Sequence, residues 1–224
     1  MRRILALLLC FSLLPVPARA AQTKYVALTF DDGPSGRYTR QLLEGLRERS
    51  AQATFLLCGY RIAQYPELTE QILREGHEIG IHGYSHASMK DMSRRDIARE
   101  IEQTQSLLPK GCSPVFLRPP GGMLSDGVRQ VAQAKQLGIL SWSVDPRDWA
   151  TANSLAIEKA VLDKVKDGDI ILLHDMSDSS VRAALHIIDT LRSRGFRCVT
   201  VSELAKIRDT PILPGKSYCR FPTK

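Results

Sequence analysis

Seven short apolar runs, separated by stretches of helical period, constrain this chain more than any single residue does. The runs are YVALTF (25–30), ATFLLC (53–58), HEIGIH (77–82), PVFLRP (114–119), ILSWSV (139–144), IILLH (170–174) and RCVTV (197–201). Between Tyr38 and Arg49, Leu42, Leu43 and Leu46 share one helical face. Between Arg94 and Leu108, the residues Ile97, Ile101, Gln105 and Leu108 do the same, behind a Ser93 N-cap with Asp96 three positions on. The pattern repeats over Ser154 to Val165 and Ser180 to Arg194, where Gly195 closes the helix. Strands alternating with helices predict a single α/β domain with a mostly parallel sheet. Alternation alone permits an open doubly wound sheet or a closed barrel. Reactive side chains fall at the ends of runs one, three, four, five and six, and a barrel gathers many strand ends around one mouth, which favours the barrel.

The first twenty residues stand apart from this pattern. A positive start (Met1 to Arg3), an apolar stretch (Ile4 to Leu14) and the small-x-small string Ala18-Arg19-Ala20 read as an export signal cut after Ala20. The stretch is short for a membrane span, so no stable membrane insertion is expected after cleavage, and the protein is expected to be exported: secreted, periplasmic or associated with the cell wall. The division read from the sequence is therefore 1–20 as signal, 21–204 as the folded domain and 205–224 as a C-terminal tail. The formal charge of +7 includes three arginines of the leader, Arg2, Arg3 and Arg19. The remaining positive charge is dispersed, which argues against nucleic acid as a partner. Four cysteines stay with the domain and tail, Cys58, Cys112, Cys198 and Cys219. Their spacing fits no zinc cluster, and their pairing stays open.

Four strings at run ends carry the chemistry: TFDDGP (29–34), HGYSH (82–86), RPPGG (118–122) and LLHD (172–175). His82 and His86 are four apart, a spacing that lets two imidazoles meet one metal on a helical turn. With Asp32 they form a donor set suited to Zn²⁺ or a similar divalent ion, leaving room for water. Asp31, next in sequence, could accept that water's proton, and Arg118 could pair with Asp31 and orient it. His174 ends an apolar run, where Asp145 or Asp148 could orient it and raise its proton affinity, with Trp149 as an apolar wall. His77 and His186 have no such setting and read as structural or exposed.

In chain order, TFDDGP, the H-x-x-x-H string, RPPGG, VDPRDW (144–149) and LLHD resemble the five motifs of the polysaccharide deacetylase family, the NodB-homology group or carbohydrate esterase family four. The ending GFRCVTVSEL is similar to the family's last strand, so the resemblance spans roughly residues 23–204. It implies a distorted seven-stranded (β/α) barrel. It also implies that Asp32, His82 and His86 are metal ligands, that Asp31 is the catalytic base tuned by Arg118, and that His174 is the general acid supported by Asp148. Trp149 and Leu172 match residues lining the acetyl pocket, and Gly121 supplies a backbone N–H to the oxyanion. Two positions depart from the pattern. Gly83 stands where Ser or Thr is common, removing a hydroxyl expected to stiffen the loop, and Gly121 stands where an aromatic ring is frequent.

The implied activity is metal-dependent removal of N-acetyl groups from an N-acetylglucosamine-containing glycan, chitin-like or peptidoglycan, with one divalent ion: Zn²⁺, or else Co²⁺ or Mn²⁺. The rivals are an esterase acting on O-acetylated glycan such as xylan, and a non-catalytic glycan-binding protein on the same scaffold. The last would tolerate loss of Asp31 or His174, and both are present.

Overall fold

The computed structural model describes residues 23–223; the signal read over residues 1–20 lies outside the described residues. Eight strands and eight α-helices are found: β1 Lys24–Asp31, α1 Arg37–Glu48, β2 Thr54–Leu57, α2 Gly59–Gln64, α3 Pro66–Arg74, β3 Glu78–Ile81, α4 Arg94–Gln105, β4 Phe116–Leu117, α5 Asp126–Ala134, β5 Gly138–Leu140, α6 Ser154–Leu162, β6 Ile170–His174, α7 Asp178–Ser193, β7 Phe196–Cys198, α8 Val201–Ile207 and β8 Ser217–Tyr218. The sheet runs β6-β1-β2-β3-β4-β5-β8, and β7 pairs with the first residues of β1. All the strand pairings are parallel. The sheet curls round on itself: Val144, just beyond β5, bridges to Ile171 of β6, and Asp169 bridges to Arg220 beyond β8. The result is a distorted (β/α) barrel.

Strand side chains alternate between two faces, and here the two faces have different fates. Val26, Leu28 and Phe30 of β1 join Phe55 and Leu57 of β2 against Leu42, Leu43 and Leu46 of α1 and Ile187, Ile188 and Leu191 of α7. Farther round, Ile81, Leu117 and Ile139 pack on Ile97 and Ile101 of α4 and Val128 and Val131 of α5. The opposite parity points into the barrel, where Ala27, Leu56, Phe116, Leu140 and Ile170 form a separate cluster. Gly80 belongs to this face; a Cβ there would lie 2.4 Å from Leu56 Cδ1, so the barrel interior is filled to the backbone.

The base of the barrel is plugged by chain beyond the seventh expected strand. That run was expected over 197–201, yet it stops at Cys198 because Thr200 caps α8, its hydroxyl accepting the Glu203 N–H at 3.2 Å. Val201, Leu204 and Ala205 then enter the inner cluster. Glu78 ties the helix in, accepting from the Thr54 hydroxyl at 2.8 Å and the Ser202 N–H at 3.1 Å. The segment read from sequence as a tail supplies β8 and two more plug residues, Tyr218 and Phe221, whose rings stack at 5.4 Å. The Phe221 N–H donates to the Gly168 carbonyl at 2.8 Å. Among the described residues no helix is long and apolar enough to cross a membrane.

Phe221 is 1 % exposed. Phe221→Ala is therefore expected to destabilise the protein by about 3–5 kcal/mol, the usual cost of emptying a phenylalanine site in a packed core. Urea unfolding measures this; a change below about 1 kcal/mol would show that the segment is a dispensable tail.

Candidate active site

The inward parity that fills the barrel with apolar side chains ends, at the upper rim, in polar ones. Asp31 follows Ala27 and Thr29 on β1, His82 follows Gly80 just beyond β3, Arg118 follows Phe116 just beyond β4, and His174 follows Ile170 and Leu172 on β6. Asp32 would point outward by this count. It is instead turned back by a left-handed backbone conformation, φ 73°, at the start of the β1–α1 loop.

Arg118 is fully buried. Its guanidinium donates to Asp31 Oδ1 at 2.6 Å and the Thr29 hydroxyl at 2.9 Å, and to the carbonyls of Leu140 at 3.3 Å and Ser141 at 3.0 Å. It also lies over the Trp142 ring, 5.6 Å from the centroid. With Oδ1 engaged, Asp31 Oδ2 faces His82 Nε2 at 3.8 Å. The carbonyl of Arg118 accepts from His82 Nδ1 at 2.7 Å. That bond assigns the proton to Nδ1 and leaves the Nε2 lone pair facing the site.

Asp32 Oδ1 lies 3.2 Å from His82 Nε2 and 3.0 Å from His86 Nε2. The donor atoms of the three residues all fall within 4.8 Å of one another. Asp32 Oδ1 is buried and has no aligned hydrogen-bond donor. A carboxylate oxygen and an imidazole lone pair converging without a proton between them are a fit for a cation, and the set of two nitrogens and one oxygen is that of a site with open coordination. Burial works against ionisation of Asp32, but the two adjacent imidazoles outweigh it and hold the carboxyl far below its ordinary range. The same contact raises the pKa of His86 against its partial burial.

Across the mouth, His174 Nδ1 bonds Asp148 Oδ1 at 2.8 Å, and the His174 backbone N–H donates to Asp148 Oδ2 at 2.8 Å. Asp148, not the alternative Asp145, is therefore the partner; Asp145 instead accepts from the Arg147 N–H at 2.7 Å. Burial alone would lower the pKa of His174, but the bond to Asp148 reverses this and raises it to about 9. Trp149 is 63 % exposed on a single 3-10 turn, Asp148–Ala150, with Arg147 stacked on it. Asp32, Asp148, Trp149 and His174 line one open cleft of about 500 Å³. Leu172 is buried one inward position below His174. Gly121 adopts φ 65°, and its Cβ direction meets only Met123, at 3.7 Å. A larger cavity of about 700 Å³ lies at the other end of the barrel, beside His77 and Cys198, and contains none of these groups. His77 is buried there and accepts the Ala53 N–H through Nδ1 at 3.3 Å, a structural role, while His186 is exposed.

Two carboxylates to which the sequence assigned no role support the loops. Asp175 is fully buried, accepts from the Thr39 hydroxyl, and lies so close to Gly33 that a Cβ there would sit 2.6 Å from Asp175 Oδ1. Burial raises its pKa to about 6. Glu100 of α4 accepts from the Tyr84 and Ser85 N–H groups at 2.7 and 2.8 Å. The string LLHD flagged Asp175 as neighbour to His174. Glu100 had no signal, since it reads as one more charge on an amphipathic helix.

A family model described as polysaccharide deacetylase matches residues 18–140. A peptidoglycan-N-acetylglucosamine deacetylase of Bacillus cereus is 39% identical over 191 residues, covering 83% of this chain and 90% of that protein. A chitooligosaccharide deacetylase of Sinorhizobium fredii is 34% identical, covering 81% of this chain and 92% of its own. Among solved structures, a family 4 acetyl xylan esterase from Clostridium thermocellum, in complex with a cobalt ion, superposes with a TM-score of 0.83 at 34% identity, over 89% of this chain and 100% of that one.

The His174–Asp148 bond makes a prediction that does not depend on activity. In metal-free protein, the imidazole of His174 is expected to titrate near pH 9 by NMR. Asp148→Asn should lower that value by about 1–3 units, the usual effect of an adjacent opposite charge. Because the folded value lies above the ordinary 6.5, the pair's contribution to stability is complete below pH 6.5 and is lost as pH rises through about 9. An unchanged titration in the variant would refute the assignment.

Proposed function

The chain belongs to the polysaccharide deacetylase family, and from that premise we propose a metal-dependent hydrolase that removes N-acetyl groups from an N-acetylglucosamine-containing glycan and releases acetate. The observation that carries the reading is the Asp32, His82 and His86 cluster, with Asp31 on one side and the His174–Asp148 pair sharing its cleft. Residues 1–20 act as an export leader in this reading, and the deacetylase domain read over 21–204, together with the plug segment through Phe221, works outside the cytoplasm. Zn²⁺ is the ion best matched to two imidazoles and a carboxylate, with Co²⁺ or Mn²⁺ as substitutes.

A divalent ion held by Asp32, His82 and His86 supplies Lewis-acid polarisation of the acetyl carbonyl and acidification of the attacking water. Asp31 takes the water's proton through Oδ2, the oxygen left free when Arg118 holds Oδ1. The backbone N–H of Gly121 donates to the oxyanion as the carbonyl carbon becomes tetrahedral. His174 is positively charged at neutral pH, and its Nδ1 proton is committed to Asp148, so Nε2 gives its proton to the departing nitrogen. That proton is needed because an amide anion is a very poor leaving group. Water and the amide are consumed, and acetate and a free amine are formed. Trp149 forms the exposed apolar wall of the cleft, and Leu172, buried one inward position below His174, is the residue assigned to the acetyl pocket.

The fold similarity to an acetyl xylan esterase supports a second reading, with an ester as substrate and an alkoxide as leaving group. Its leaving group depends less on protonation, so His174→Ala should spare an ester far more than an amide.

Metal-stripped protein is expected to release no acetate from N-acetylglucosamine oligomers, and to gain activity on addition of Zn²⁺ or Co²⁺. Asp31→Asn should lower that activity by at least about 10²-fold, the usual contribution of a general base. Acetate release is measured beside O-acetylated xylan. Faster turnover of xylan would favour the esterase reading, and metal binding without turnover of either substrate would favour a glycan-binding protein.

A further inference from the structure

Resting on the metal-site reading above, we propose that Glu100 is a positioning residue, setting the shape of the His82–His86 turn and hence the affinity of the site for its ion. The turn is an irregular segment with two left-handed residues, Gly83 at φ 81° and His86 at φ 63°. A non-glycine residue at positive φ is costly unless its surroundings hold it there. Only one wall of the turn is held by backbone. Its carbonyls are taken from the α2 side, where the Gly59 N–H donates to the Gly83 carbonyl at 2.9 Å and the Tyr60 N–H to the Tyr84 carbonyl at 3.0 Å. The N–H groups of Tyr84 and Ser85 point the other way and share one acceptor group, the Glu100 carboxylate.

Glu100 Oε2 receives the N–H of Tyr84 at 2.7 Å and of Ser85 at 2.8 Å, and Oε1 receives the Ser85 hydroxyl at 2.9 Å. Three charge-assisted bonds from two consecutive residues fix two of the four peptide planes between the histidines. Gly83 itself cannot brace the turn: it has no side chain, and a Cβ there would lie 2.8 Å from Met89 Cε and 3.2 Å from Glu100 Oε2. The carboxylate thus occupies the space a side chain at position 83 would use. Met89 is fully buried beneath the turn. The remaining positioning bond of the set, from His82 Nδ1 to the Arg118 carbonyl, holds the first imidazole but not the second. His86 is the half-exposed ligand, and its place depends on the path of the chain through Tyr84 and Ser85.

Outer groups that orient metal-ligating residues typically change affinity by about 10–100-fold when removed. Glu100→Ala should therefore weaken Zn²⁺ binding, measured by competition with a chromogenic chelator on metal-stripped protein, by about 10–100-fold. Glu100→Gln keeps a carbonyl oxygen for both N–H groups and should restore most of that loss. KM for the oligomer should stay unchanged at saturating Zn²⁺. A merely structural role would lower the melting temperature of the metal-free protein without changing Zn²⁺ affinity, and that result overturns the proposal. So does a Glu100→Gln variant as weak as Glu100→Ala, which would make the charge, and not the hydrogen-bond geometry, responsible. Zn²⁺ affinity is read without turnover. Tight binding by the unsubstituted protein without acetate release would sink the deacetylase reading while leaving the role of Glu100 to be judged on the variants.

Discussion

The buried guanidinium of Arg118 is the interaction on which the upper half of this barrel depends. It reaches β1 through Asp31 and Thr29 and the chain at the end of β5 through two carbonyls, while its own carbonyl fixes the ring of His82 next to β3. A charge taken out of water in this way is tolerated only because each guanidinium nitrogen finds an acceptor and a carboxylate faces it. The arrangement then has little freedom. Asp31 is held by one oxygen, His82 by one nitrogen, and each presents its other polar atom to the same small volume. Removal of one partner of a buried ion pair costs about 3–5 kcal/mol, so the groups that set the site's geometry also carry a good part of the local stability.

Much of this was legible in the sequence, for a simple reason. Strand side chains repeat every second residue, so a reactive residue at a run end inherits the facing of the apolar residues before it, and Asp31, His82, Arg118 and His174 could be placed together from four separate strings. The expected helices appear with no end shifted by more than three residues. The misses also have physical causes. The β4 run was read over 114–119 but is only Phe116–Leu117, since Pro114, Pro119 and Pro120 lack the N–H a ladder needs. The run at 197–201 hid the Thr200 cap inside a string of β-branched residues. β8 is two residues long and has no period to detect. Trp149 was read as a wall of the pocket; it does line the cleft, but mostly exposed to solvent. Glu100 lies on a charged helix face, and only the folded chain brings it under the histidine turn.

The two proposed metal ligands that strand parity does not place are the two that sit at positive φ. Asp32 and His86 both adopt the left-handed region, which residues with a Cβ enter at a cost of about 1–3 kcal/mol. His86 is held by the Glu100 carboxylate, which takes the N–H groups of Tyr84 and Ser85, while beside Asp32 the Gly33 carbonyl accepts the Cys58 N–H at 3.1 Å. Position along a strand delivers the proposed proton-transfer groups and one proposed ligand, and loop conformation delivers the other two.

The plug at the base has a consequence for the order of assembly. Val201, Leu204, Tyr218 and Phe221 fill the barrel from below, and in chain order they follow every strand that lines the mouth. A nascent chain lacking them has seven strands and most of the outer helices but an unfilled interior. Closure beyond β5 onto β6, made by the Val144–Ile171 bridge, would enclose an incompletely packed interior until they arrive. The barrel is thus a structure filled from its far end, and a chain threaded across a membrane in the N-to-C direction would keep a loosely packed interior until Val201 and the residues through Phe221 had emerged.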